Sequence, residues 1–245
     1  MNKNVTTSSK AEVVDVSNTS SVKHPAKFSV AVLDAIREIA DGLLPDGARV
    51  LDPFAGVGGI HSLAEPMGWE TWGVELEPEW AAQHPRTVCG DSTRLGTIVE
   101  EGLIPSVFDA IVTSPAYGNR MADAYAGDAK GSKRITYRIA LGRPLDPRNG
   151  ASMQWGAAYM ALHREVWREA ADVVRPGAGY LILNVSDHVR GGSVMPVSAW
   201  HVGTLAKWGF HEVSRIDVPT PRMRFGANGG ARVDHEHVIL FQRGA

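Results

Sequence analysis

Two short segments carry residue types and spacings suited to chemistry. The first is VLDPFAGVGG, in which Gly56 and Gly58 sit in a turn between a strand-like run and a helix-like one, where backbone can approach a ligand closely. About twenty residues on, GVELE ends a second apolar run with Glu75, and an acid at such a strand end can accept hydrogen bonds from two ribose hydroxyls. Glu77 is the reserve for that role. A third run ends in CGD, where Gly90 and Asp91 offer a carboxylate to an adenine amino group. The order turn, acid, acid is that of a grip on an adenosine-containing ligand. The second segment is TSPAY at the end of a fourth apolar run. Ser114 Oγ and the Pro115 carbonyl form a pair of acceptors stiffened by the proline ring, with Tyr117 beside them as a stacking face.

The elements positioning these residues follow from periodicity. Val32, Leu33, Ile36, Ile39, Ala40 and Leu43 recur at helical spacing behind Ser29 as a cap, and Gly47 is expected to follow the helix's end. The strand-turn-helix rhythm then repeats through FDAIVTSPAY and resumes with a long amphipathic helix carrying Tyr159, Val166, Trp167 and Val173, followed by the strand YLILNV. PVSAWHVGTLAKWG reads as one more helix, and FHEVSRIDV and HEHVILFQR as a closing antiparallel pair. The expected fold is α/β: a doubly wound, mostly parallel sheet with a C-terminal antiparallel hairpin, in one domain over 23–245. Residues 1–22, rich in Ser, Thr and Asn, are expected to form a disordered tail. Residues 118–152 lack a clear period and are expected to be an inserted loop.

DPFAGVGG, GVELEPEW, CGDS and TSPAYGNR together resemble the successive motifs of amino-methylating DNA methyltransferases, over residues 24–243. The resemblance implies a class I, Rossmann-like methyltransferase using S-adenosyl-L-methionine. Asp52, Pro53, Phe54, Gly56 and Gly58 would hold its methionine part, Glu75 and Asp91 its adenosine, and Ser114 would lie at the junction of cofactor and target. The upstream HPAKFS resembles the family's N-terminal cofactor motif and adds Phe28 and Ser29. The family's motif has a second proline where this chain has Ala116.

The implied reaction transfers a methyl group to an exocyclic base amine of DNA, leaning to N4 of cytosine over N6 of adenine because Ser stands first in the motif. Such an amine is a poor nucleophile, its lone pair being delocalised into the ring, so Ser114, Pro115 and Tyr117 would draw its hydrogens out of plane and hold the extruded base. An RNA base amine is the nearest alternative, and a non-catalytic nucleic-acid-binding scaffold the next. Protein glutamine methylation is disfavoured, since Ser114 replaces the Asn of those enzymes.

Net charge of −2 gives no global attraction for polyanions, so nucleic acid needs local basic surface. Arg120, Lys130, Lys133, Arg134 and Arg138 lie in the insertion, which also contains Arg143, Arg148, Tyr125 and Tyr137. Arg222, Arg224 and Arg232 lie between the last two strands. Recognition by these loops, without a separate recognition domain, implies short or relaxed sequence specificity. The single cysteine, Cys89, excludes an internal disulfide. It is expected to be buried in a strand, which disfavours methylation at carbon 5 of cytosine, a reaction needing a thiolate. His235 and His237 share one strand face, but two ligands without a third make a poor site, so no metal is expected. The absence of a long apolar run points to a cytoplasmic protein.

Overall fold

The computed structural model describes residues 28–116, 136–220 and 233–245. The tail expected over 1–22 lies outside them. Seven strands form one sheet: β1 (Arg49–Asp52), β2 (Glu70–Glu75), β3 (Thr87–Cys89), β4 (Ala110–Thr113), β5 (Tyr180–Val185), β6 (Phe210–Pro219) and β7 (His235–Arg243). Their spatial order is β3-β2-β1-β4-β5-β7-β6. The first five run parallel, and β7 is antiparallel to both β5 and β6. The expected sheet and closing hairpin are both present. Chain order reverses between β1 and β4, and open α/β sheets place ligands at the carboxyl ends of the strands beside such a reversal.

Helices cover both faces, so the central strands are apolar without alternation: β4 is buried throughout, and β1 and β5 after their first residue. On one face, α1 (Val30–Ala40) packs Val32 and Ile36 against Val50, Val112, Ile182 and Val238. Two single-turn helices, α2 (Ala64–Met67) and α3 (Pro78–Ala81), flank β2 in the chain, and on the other face α4 (Leu95–Glu100), α6 (Ala157–Val173) and α7 (Val197–Lys207) cover Leu51, Ile111, Leu183 and Ile239. Ser29 caps α1 as expected, its Oγ accepting from Val32 N at 3.2 Å. The helix stops at Ala40, short of Leu43, because Asp41 leaves helical geometry and Gly42 turns left-handed at φ 70°.

Between β5 and α7 a small hairpin, His188–Arg190 with Ser193–Met195, escaped the periodicity reading. Gly191 and Gly192 form its loop with φ 58° and 80°, the positive pair that a two-residue turn matching strand twist requires.

The insertion differs from expectation over its described part. Residues 137–141 form a helix, α5 (Tyr137–Leu141), capped by Thr136, and the chain from Arg143 to Asn149 lies across the ends of β2 and β3. Tyr137 is only 5% exposed and meets Trp80 edge-on at 5.4 Å, with Leu145 and Ala151 completing a small satellite core. The three residues that the insertion gives to this core, Tyr137, Leu145 and Ala151, are too few and too unevenly spaced to register as a period. Tyr137 is therefore a packing residue and offers no face for a base.

Candidate functional site

The glycine turn is built around a buried acid. Asp52 ends β1, is 2% exposed, and its Oδ1 accepts from Phe54 N at 2.9 Å and from Thr113 Oγ1 at 2.6 Å. Burial raises its pKa to about 6 against the opposing pull of those two hydrogen bonds. The Thr113 contact joins the turn after β1 to the last residue of β4, one position before Ser114. The two motifs read from sequence thus open on the same edge of the sheet. Gly56 and Gly58 adopt φ 54° and 81°, the left-handed region where a side chain is strained. A β-carbon on Gly58 would also lie 2.6 Å from the His61 ring.

Glu75 reaches back from β2 into this turn. Its Oε2 accepts from Gly56 N at 2.8 Å and its Oε1 from Glu77 N at 2.9 Å. Burial pushes its pKa up to about 7, overriding both hydrogen bonds. Each carboxylate oxygen carries a second lone pair, so the side chain still has two acceptor positions to offer. Glu77, the reserve, does not: it is fully buried, its Oε1 accepts from Asp146 N at 2.9 Å and Asn149 Nδ2 at 3.0 Å, and Arg143 lies 2.7 Å from its Oε2.

Asp91 is partly occupied. Its Oδ1 accepts from Thr93 N and Thr93 Oγ1, capping a short 3₁₀ turn, and its Oδ2 pairs with Arg148 at 3.1 Å. An open hollow beside it is lined by Cys89, Gly90, Thr97 and Ile98. Cys89 is exposed rather than buried, because it is the last residue of a three-residue edge strand with a neighbour on one side only. Partial desolvation of its sulfur and the nearby Glu75, Glu77 and Glu79 raise its thiol pKa, which keeps it a poor nucleophile.

Of the other expected cofactor residues, Phe28 lies against Gly59 at the turn's far side, and Ser29 is engaged as the α1 cap. Pro53 accepts from Ser92 Oγ through its carbonyl at 2.5 Å. The Phe54 ring points away into the core, stacked on His163 at 5.2 Å and edge-on to Trp167 at 6.1 Å, so it anchors the turn to α6.

Ser114 follows β4, and its Oγ accepts from Asn184 Nδ2 at 3.1 Å. The same amide nitrogen donates to Glu236 Oε2 at 3.1 Å, which fixes the amide's orientation. Asn184 is 3% exposed and its Oδ1 lacks a hydrogen-bond partner. Sequence reasoning missed Asn184, Glu236 and Thr113, although an Asn inside the otherwise apolar YLILNV was a visible signal. Pro115 follows Ser114 at the strand end, and Ala116 packs against the Trp80–Tyr137 cluster. Tyr117, Arg120, Lys130, Lys133, Arg134, Arg222, Arg224 and Arg232 lie outside the described residues. Arg138 is exposed on α5. Arg143 and Arg148 are held in ion pairs with Glu77, Glu79, Asp91 and Asp146, which removes two charges from the basic surface expected in the insertion.

Behind the site, α6 and α7 enclose a histidine pair. Trp167 Nε1 donates to His201 Nδ1 at 3.0 Å, so His201 carries its proton on Nε2, 3.0 Å from Tyr159 Oη. His163 Nδ1 donates to the Tyr159 carbonyl at 2.8 Å. Burial lowers the pKa of His163 to about 4 and that of His201 well below its usual value. Both folded-state values lie below that of the unfolded chain, so both groups cost stability in acid; the contribution of His163 is intact above pH 6.5 and is lost as pH falls toward 4. For His163 the loss is about 3 kcal/mol. His163→Phe is expected to flatten urea-denaturation stability across that window, and an unchanged slope would refute the assignment.

No protein-family model matches the sequence, and no curated protein matches it. Among solved structures, it is similar to an S-adenosylmethionine-dependent methyltransferase from Methanosarcina mazei at 12% identity and TM-score 0.51, covering 84% of this chain and 98% of that one. It is also similar to 1,6-didemethyltoxoflavin-N1-methyltransferase from Burkholderia thailandensis, whose structure holds 1,6-didemethyltoxoflavin and S-adenosylhomocysteine. There the identity is 15% and the TM-score 0.50, covering 88% of this chain and 79% of that one. The chain has the class I methyltransferase fold. At these identities the likeness is one of fold alone. Among the described residues, no helix is long and apolar enough to cross a membrane.

Proposed function

We propose that this chain transfers a methyl group from S-adenosyl-L-methionine to an exocyclic amine of a DNA base, with N4 of cytosine favoured over N6 of adenine. The observation carrying this reading is the 2.6 Å bond between Thr113 Oγ1 and Asp52 Oδ1, which holds the glycine turn and the Ser-Pro segment at one strand edge. The class I fold and the two similar methyltransferases support the choice of cofactor. In this reading the turn from Asp52 to Gly58 holds the methionine part, Glu75 accepts from the ribose hydroxyls, and Asp91 faces the adenine. When bound, the cofactor supplies an electrophilic methyl group on a sulfonium.

The protein's own work is positioning. Ser114 Oγ and the Pro115 carbonyl accept from the target amine, rehybridisation of that nitrogen frees its lone pair for attack, and the proton that the methylated nitrogen then sheds passes to water. Tyr117 stacks on the extruded base, which offsets part of a flipping cost of a few kcal/mol. Arg138 and the basic residues 120–134 and 222–232 supply phosphate contacts. The RNA alternative shares every step except the polymer.

Mass spectrometry of nucleosides, after incubating the protein and cofactor separately with DNA and with RNA, tests the proposal. N4-methylcytosine or N6-methyladenine in the DNA arm is expected. Modification confined to RNA selects the alternative. Unmodified polymers from a chain that binds the cofactor by calorimetry exclude both, and no cofactor binding leaves the non-catalytic scaffold.

A further inference from the structure

The sequence places His235 and His237 on one face of β7 but offers no third ligand nearby. The fold supplies it. In the antiparallel register of β6 and β7, Asp217 lies directly across from His237. Residues two apart on a strand share a face, so Asp217, His235 and His237 converge. One ligand atom from each falls within 4.8 Å of the others. The two imidazoles are 4.7 Å apart at 73°, and His237 Nδ1 lies 2.6 Å from Asp217 Oδ1.

We propose that Asp217, His235 and His237 form a divalent transition-metal site, with Zn²⁺ the fitting ion. Two imidazoles and one carboxylate are a borderline-soft set that suits zinc and disfavours calcium and magnesium, which take oxygen ligands. Three protein ligands leave a fourth tetrahedral position open to water at this sheet edge. Two ligands of one tetrahedral ion with bonds of about 2.0 Å stand about 3.3 Å apart. Binding thus replaces the proton between Asp217 and His237 with the ion, moves that pair apart from 2.6 Å by about 0.7 Å, and draws in the ligand atoms that now stand as far as 4.8 Å apart. Asp217 can make this movement, since its side chain is 61% exposed, while His237 at 11% stays fixed as the anchor. Asp234 Oδ1, 3.2 Å from His235 Nδ1, is placed to orient that ring.

The site has a mechanical consequence for its neighbours. Glu236 stands between the two histidines in sequence and projects to the opposite face, where it accepts from Asn184. An ion bridging β6 and β7 fixes the backbone on both sides of Glu236, and with it the Glu236–Asn184–Ser114 chain. The inference does not depend on which methyl acceptor the protein uses.

The full chain, stripped with EDTA, is titrated with Zn²⁺ by calorimetry. One ion per chain is expected, together with a rise in melting temperature. His235→Ala and His237→Ala should each weaken binding by at least about tenfold. Asp217→Asn should do the same, while His211→Ala, elsewhere on β6, should not. Circular dichroism confirms that each variant folds. Failure of the wild-type chain to bind Zn²⁺ would overturn the proposal, as would equal affinity in the His235 and His237 variants. So would loss of binding in His84→Ala, which would move the ion to the stacked His61–His84 pair.

Discussion

Glu75→Ala is expected to lose S-adenosyl-L-methionine binding by a factor of 100 or more, roughly the worth of two charge-assisted hydrogen bonds to ribose. The same change orphans Gly56 N and Glu77 N, each a buried donor costing about 1–3 kcal/mol. The variant should therefore unfold at lower denaturant as well. Glu75→Gln keeps the shape and one acceptor oxygen, and separates the effects: its stability should lie closer to the native chain while its affinity remains well below it.

The pH dependence carries a further signature. Glu75 titrates near 7 in the folded chain against a usual 4.5, so for this group stability is greatest at acid pH and declines as pH rises from 4.5 through 7. Cofactor binding has the opposite slope. Accepting two ribose hydroxyls needs the carboxylate, so affinity should fall as pH drops below about 7, and binding at neutral pH should expel about half a proton per chain. Calorimetry in two buffers of different ionisation enthalpy counts that proton. A count of zero, or an identical pH slope in Glu75→Gln, would remove Glu75 from the ribose site.

Ser114→Ala is expected to lower kcat by about 100-fold or more, the usual consequence of removing one preorganised group that acts in the transition state. Cofactor affinity should change little, since the glycine turn is untouched. Tyr117→Ala should likewise cut turnover and spare cofactor affinity. Asn184→Ala should reduce kcat less than Ser114→Ala, because the serine keeps its hydroxyl but loses the donor that aims it. The readout is methyl incorporation into DNA alongside calorimetric cofactor affinity. Full activity in Ser114→Ala would eliminate the proposed mechanism.

Asn184 and Glu236 are separated by 52 residues, and Asp52 and Thr113 by 61, so the contacts that aim the catalytic segment are invisible to any local pattern. The same holds for Arg143 and Asn149, which meet Glu77 only because the insertion folds back over β2. That fold-back also turned part of an expected basic loop into a packed cap and closed Glu77 to any ligand.

What the sequence determined by itself was the scaffold. Hydrophobic period separates strands from helices, glycines at φ above zero mark the turn, and the order of the α/β units leaves few ways to wind a sheet. The acid at the end of β2 and the Ser-Pro pair at the end of β4 were legible because strand ends are where chemistry must sit in such sheets. The tertiary structure alone decided which acids remain open, which arginines are free and which third ligand joins two histidines. Those outcomes depend on strand register and on the path of the insertion, and register is set by packing across the whole sheet rather than by any residue's neighbours in the chain.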